Sequence, residues 1–102
     1  MKLGILLSTS PQHGNSELVL PLAETVKRRG SDVYLYLLDD GVRCLCDERF
    51  TALIEQGVVV YVCTHGMVKH AVKVEDERVV ACGLVVLSDL MRACDRFLSF
   101  AA

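Results

Sequence analysis

Residues 58–63, Val-Val-Val-Tyr-Val-Cys, form an unbroken apolar run of strand length between Gly57 and the segment Thr64-His65-Gly66. A strand with one wet face alternates polar and apolar residues. A strand without a polar face must be covered on both sides, which is the usual condition of a parallel sheet. Lys2 to Ser8 and Asp32 to Leu38 show the same near-continuous apolar character. The segments between these runs carry helical periodicity. Leu18, Val19, Leu22, Ala23 and Val26 recur on one face from an expected N-cap at Ser16 to Gly30, with Pro21 marking a first-turn adjustment or a kink. Asp47 to Gln56 reads as a short helix with Phe50, Leu53 and Ile54 turned inward and Gly57 ending it.

Further along, Gly66 to Val72 is expected to make one or two helical turns, and Val79 to Gly83 a short strand. Ser88 is expected to cap a helix through Cys94, and Arg96 to Phe100 to return as a final strand. Thr9 to Asn15 and Val42 to Cys46 read as loops, the latter entered through the turn Asp39-Asp40-Gly41. Alternating strands and helices with short connections imply an α/β fold. The expectation is a three-layer sandwich, a mainly parallel five-stranded sheet with helices on both faces, built as a single domain over residues 1–102.

The 102 residues suffice for one core and leave no room for a separate catalytic module. Net charge of −2 offers no basic field for nucleic acid, and Lys27-Arg28-Arg29 reads as a helix end, so no direct nucleic-acid partner is expected. No apolar run reaches the roughly 20 residues of a membrane span. The opening Met-Lys-Leu-Gly-Ile-Leu-Leu reads as a strand rather than a signal peptide, and a cytoplasmic location is expected. Five cysteines, an odd number, argue against a disulfide framework and leave thiols that are reactive, metal-bound or simply buried. An apolar share of 52% is slightly high and hints at burial between subunits.

Ligands of parallel sheets gather at the carboxyl ends of the strands, where this chain places His13, Cys44, Cys46, Cys63, His65 and Cys82. Cys63 is the strongest candidate. It ends a buried strand where a short helix begins, facing amide groups that favour negative charge, with His65, Lys69 and His70 nearby in sequence. The plain alternative is an inert, buried strand residue. Cys44 and Cys46 form a Cys-x-Cys pair that can supply two metal ligands or a relaying thiol, or serve as ordinary loop cysteines. Packing is the expected role of Cys82 and Cys94. The loop Ser8 to Ser16 loosely resembles a hydroxyl-rich phosphate loop. The chain has no tryptophan or aromatic-bearing loop to sandwich a flavin, so the loop reads as a solvated helix cap. Asp39-Asp40 reads as turn chemistry before a cation site, and Glu75 to Arg78 as a solvated loop.

The order of landmarks resembles the DsrE/TusD-like sulfur-relay family across nearly the whole chain. The resemblance rests on the first strand and its polar loop, the helix end Ala23 to Gly30, Asp39-Asp40-Gly41-Val42 after strand two, Leu53 to Cys63, and Ser88 to Phe100. It implies an α/β sandwich assembling as a homotrimer or homohexamer, with Cys63 at the position of the thiol that takes up sulfane sulfur as a persulfide and passes it on. Lys69-His70 stands where many relatives carry an Arg-Gly pair. The expected function is that of a small sulfur carrier working between sulfur-donor and sulfur-acceptor proteins, with His65, Cys44 and Cys46 as supporting residues. No cofactor and no metal is expected, since the persulfide is itself the carried group. Two alternatives stay open: a metal-binding or redox-sensing module built on the rim cysteines and histidines, and a structural subunit of a hetero-oligomer.

Overall fold

In the computed structural model, which describes residues 1–102, the apolar runs become the middle of a five-stranded parallel sheet. The strands are β1 (Lys2–Leu7), β2 (Asp32–Leu37), β3 (Val59–Cys63), β4 (Val80–Cys82) and β5 (Arg96–Phe100), in the spatial order β4-β3-β2-β1-β5. The helices are α1 (Ser16–Arg28), α2 (Glu48–Glu55), α3 (Thr64–Lys69) and α4 (Leu84–Ala93), and a 3-10 stretch covers Asp39–Cys46.

Topology assigns the faces. From β1 to β4 each connection steps one strand in the same direction, so right-handed crossovers put α1, α2 and α3 on one face. The return from β4 to β5 runs across the sheet the other way and carries α4 over the opposite face. The first face is closely packed. Leu3, Ile5 and Leu7 of β1, Val33, Leu35 and Leu37 of β2, and Val60 and Val62 of β3 are buried there, along with Val19 and Ala23 of α1 and Phe50, Leu53 and Ile54 of α2. Burial of such side chains contributes about 1.5–3 kcal/mol apiece against the entropy of ordering the chain. The second face is thinner, for Leu90 is the only buried residue of α4. No helix is long and apolar enough to cross a membrane.

The α/β expectation and the five-stranded parallel sheet with helices on both faces hold, while several boundaries move. Asn15, not Ser16, takes the N-cap of α1, and its side chain ties the loop to the chain end by donating to Thr9 Oγ1 (3.3 Å) and Ala101 O (3.2 Å). Ser16 lies inside the helix, buried, with no partner for its Oγ. The expected loop at 42–46 belongs to the 3-10 stretch, and the turns expected at 66–72 begin earlier, at Thr64. The last helix starts at Leu84, so Ser88 sits mid-helix rather than capping it. Leu84-Val85-Val86-Leu87 has β-branched residues and no polar cap, a local pattern that hides a helix whose form is set by packing. Gly30 and Gly57 end α1 and α2 with φ of +94° and +95°, the left-handed geometry that glycine enters without steric cost.

One backbone crossing holds the sheet rim together. Leu7 O accepts the Leu38 amide (3.0 Å), and Gly41 packs so closely beneath it that a Cβ there would lie 2.1 Å from the same oxygen. Gly14, by contrast, has nothing within 4 Å of where its Cβ would stand. Gly41→Ala is expected to destabilise the fold by about 2–3 kcal/mol because neither backbone can yield cheaply. Gly14→Ala should be close to neutral, and urea unfolding of the two variants checks the contrast.

Candidate functional site

Side chains two apart on a strand share a face, and in-register neighbours in a parallel pair share it too. Tyr36 of β2 stands opposite Tyr61 of β3, and Tyr61 stands opposite Val80 of β4. Two residues further along, Cys63 is paired with Cys82. Both cysteines thus project from the α4 side of the sheet at the carboxyl ends of adjacent strands. Tyr36 joins them there. Its ring stacks with that of Tyr61 at a centroid distance of 6.4 Å, and its hydroxyl donates to Gly83 O (3.1 Å) at the start of α4. The Cys63 and Cys82 thiols are the neighbouring groups that bear on this hydroxyl.

The electrostatics follow from burial. Tyr36 is held well above the ordinary phenol range, first by desolvation and then by the two neighbouring thiols, so it remains a hydrogen-bond donor. Burial also raises the Cys82 thiol, with the Tyr36 hydroxyl opposing the shift by stabilising the anion. Cys63 is 5% exposed and occupies the N-cap position of α3, with no side-chain hydrogen bond to the helix. Cys82 is half-buried and so forms the more open side of the pair.

The other expected residues divide into separate neighbourhoods. Cys44 is fully buried in the 3-10 stretch, its Sγ donating to Thr9 O at 3.8 Å. Desolvation, with Asp47 next in importance, pushes its thiol up to about 12. Cys46 is exposed and lines a cavity of about 520 Å3 formed with Phe50, Ile54, Val60 and Val72. That cavity lies on the α2 side of the sheet and contains neither Cys63 nor Cys82. His65 is exposed on the first turn of α3. His70 Nε2, closed off from solvent, lies 3.1 Å from Asp40 Oδ1 without hydrogen-bond alignment, so Asp40 faces an imidazole. Asp39 adopts a φ of +50°, in keeping with turn chemistry. His13 is exposed, and its Nδ1 accepts from the Asn15 amide (3.0 Å), a role in the loop before α1. No three His, Cys, Asp or Glu side chains converge as a metal site.

Arg49 braces this rim from the α1 side. It pairs with the Asp47 carboxylate (2.8 Å), Glu17 (2.9 Å) and the Pro11 carbonyl (3.2 Å), joining α1, the first loop and α2. Its guanidinium holds the Asp47 carboxyl below the usual range. Arg78 likewise clamps Asp76 to Glu55 of α2, pushing the Asp76 carboxyl down to about 2. The segment expected as a solvated loop is therefore anchored at both ends of that arginine. The sequence sets Cys82 at the rim with packing as its expected role, and does not single out Tyr36. The alternation Val33-Tyr34-Leu35-Tyr36 was the available signal, for it sets the tyrosines on one strand face.

Cys44 ties stability to pH. The folded thiol loses its proton near 12, whereas the unfolded one does so near the ordinary value of 9.0. Above pH 9 the unfolded chain therefore binds fewer protons than the folded one, and stability present below pH 9 falls as pH rises toward 12. Urea unfolding at stepped alkaline pH should show this decline, shallower in Cys44→Ala. At neutral pH a bulky alkylating reagent should label Cys46 in seconds to minutes while Cys44 stays unlabelled until the chain unfolds.

The comparisons agree with the geometry. Solved structures of the same fold include the ychN protein from E. coli, with a TM-score of 0.82 at 18% identity over 97% of both chains. A conserved protein of unknown function, BT1422 from Bacteroides thetaiotaomicron, gives 0.76 at 15% identity over 97% of this chain and 94% of that one. At these identities the likeness speaks for the fold alone. No curated protein sequence matches the chain significantly. The family model described as DsrE/DsrF-like matches residues 1–100, and the chain belongs to the DsrE/DsrF-like family.

Proposed function

We propose that the protein is a small cytoplasmic sulfur carrier that takes sulfane sulfur from a donor protein as a persulfide on Cys63 and passes it to an acceptor thiol. The observation that carries this reading is the placement of Cys63, a free thiol at the carboxyl end of a central strand in a chain whose family is associated with sulfur relay. Loading is thiol exchange. The Cys63 thiolate attacks the outer sulfur of the donor persulfide, the donor thiolate leaves, and the chain holds Cys63–S–SH until an acceptor thiolate repeats the displacement. No cofactor enters these steps. A side chain 5% exposed must swing toward the rim to meet a protein donor, and the short helix α3 that begins at Thr64 is the element able to give way.

Assembly is part of the same proposal. Leu84, Val85 and Met91 on α4 are 59, 76 and 52% exposed, a concentration of apolar surface that subunits of a homotrimer or homohexamer would cover. The metal-binding alternative has less support, since no three His, Cys, Asp or Glu side chains come together at the rim.

Two measurements test the reading. Incubation of the reduced chain with a persulfidated sulfurtransferase, followed by intact mass and peptide mapping, should place one removable sulfur on Cys63. Cys63→Ser should abolish loading while leaving the circular-dichroism spectrum unchanged, and undiminished loading in that variant would sink the assignment. Light scattering should give a mass of three or six times 11.3 kDa, and Val85→Asp should shift it to the monomer. A monomeric wild type would remove the assembly part.

A further inference from the structure

The carrier reading leaves Cys82 and Tyr36 without a task, although Cys82 is the register partner of Cys63 and Tyr36 lies on the same face of the sheet. We infer that Cys82 is a resolving thiol, which closes a disulfide with Cys63 and discharges the carried sulfur as hydrosulfide when no acceptor takes it. The inference rests on the proposed persulfide at Cys63.

Three observations carry it. Cys63 and Cys82 are register partners on adjacent parallel strands, projecting from one face. Such partners stand about 4.8 Å apart in the hydrogen-bonding direction, inside the roughly 4.4–6.8 Å Cα separation that a disulfide spans. Tyr36 stands on the same face of the sheet, and because its hydroxyl stays protonated it can hydrogen-bond to a Cys82 thiolate as that forms. The partner strand is also permissive. β4 is a three-residue edge strand with Val80 and Ala81 exposed, followed directly by Gly83, so its end can shift by the small amount that bond formation requires.

The step balances without an external oxidant. The Cys82 thiol gives its proton to solvent, and its thiolate attacks the inner sulfur of the neutral persulfide Cys63–S–SH. A Cys63–Cys82 sulfur–sulfur bond forms as the persulfide bond breaks, and HS⁻ leaves with the electron pair. The Cys82 sulfur is oxidised to the disulfide level while the departing sulfur is reduced to hydrosulfide. A dithiol reductant then restores both thiols. Burial holds Cys82 mainly in the thiol form, so release quickens as pH rises and more thiolate is present.

The experiment loads the reduced full-length chain with sodium tetrasulfide, desalts it without oxygen and omits any acceptor. Free sulfide is followed with a bimane reagent, and non-reduced peptides are mapped. Wild type is expected to release one hydrosulfide for each Cys63–Cys82 disulfide. Cys82→Ser should keep its sulfur on Cys63 and release sulfide more slowly by on the order of tenfold or more, the advantage of a neighbouring thiol being lost. Equal persulfide lifetimes in the two proteins, or sulfide release without the linked peptide, would overturn the resolving role and leave the carrier intact. Absence of sulfur on Cys63 after loading, seen before any resolution is measured, would overturn the carrier reading and this step together.

Discussion

The structure depends on the burial of β1, β2 and β3 on both faces. These strands present almost no polar side chain, so every residue on them must find apolar cover above and below, and only layers of helix supply it without leaving backbone groups unpaired. Parallel pairing follows, because each strand needs a crossover to return to the same end of the sheet. The carboxyl ends of the strands are thereby collected on one rim, where Cys63 and Cys82 lie side by side.

The two faces are covered unequally, and the difference bears on function. One face carries three of the four helices and holds most of the buried core, including Cys44. The other is spanned by α4 alone, with tyrosines beneath it and exposed apolar residues on its outer side. Cys63 and Cys82 lie on this thinner side, Cys63 buried and Cys82 half-buried. Cys44, by contrast, is fully buried, and desolvation pushes its thiol up.

Much of this could be read along the chain. Gly30 and Gly57 end helices, the apolar runs are strands, and Cys63 stands where a strand gives way to a helix, all through local properties of a few neighbouring residues. The start of α4 escaped such reading because Leu84 to Leu87 lacks a polar cap and contains β-branched residues, and its helical form comes from packing on the sheet. Ser16 was misplaced by one residue because Asn15, bonded to Thr9 and Ala101 from a distant part of the chain, takes the cap.

The sequence by itself determined that this chain is a mainly parallel α/β protein with a cysteine at the end of an apolar strand, since strand character, helix limits and turn chemistry are written in short-range patterns. Which cysteine meets Cys63 was decided only by the tertiary structure. Cys46 is nearer to it in sequence and Cys44 equally distant, yet Cys82, 19 residues further on, is its register partner. Strand order and register arise from how whole faces pack together, and a pairing between distant segments leaves no trace in the residues beside either one.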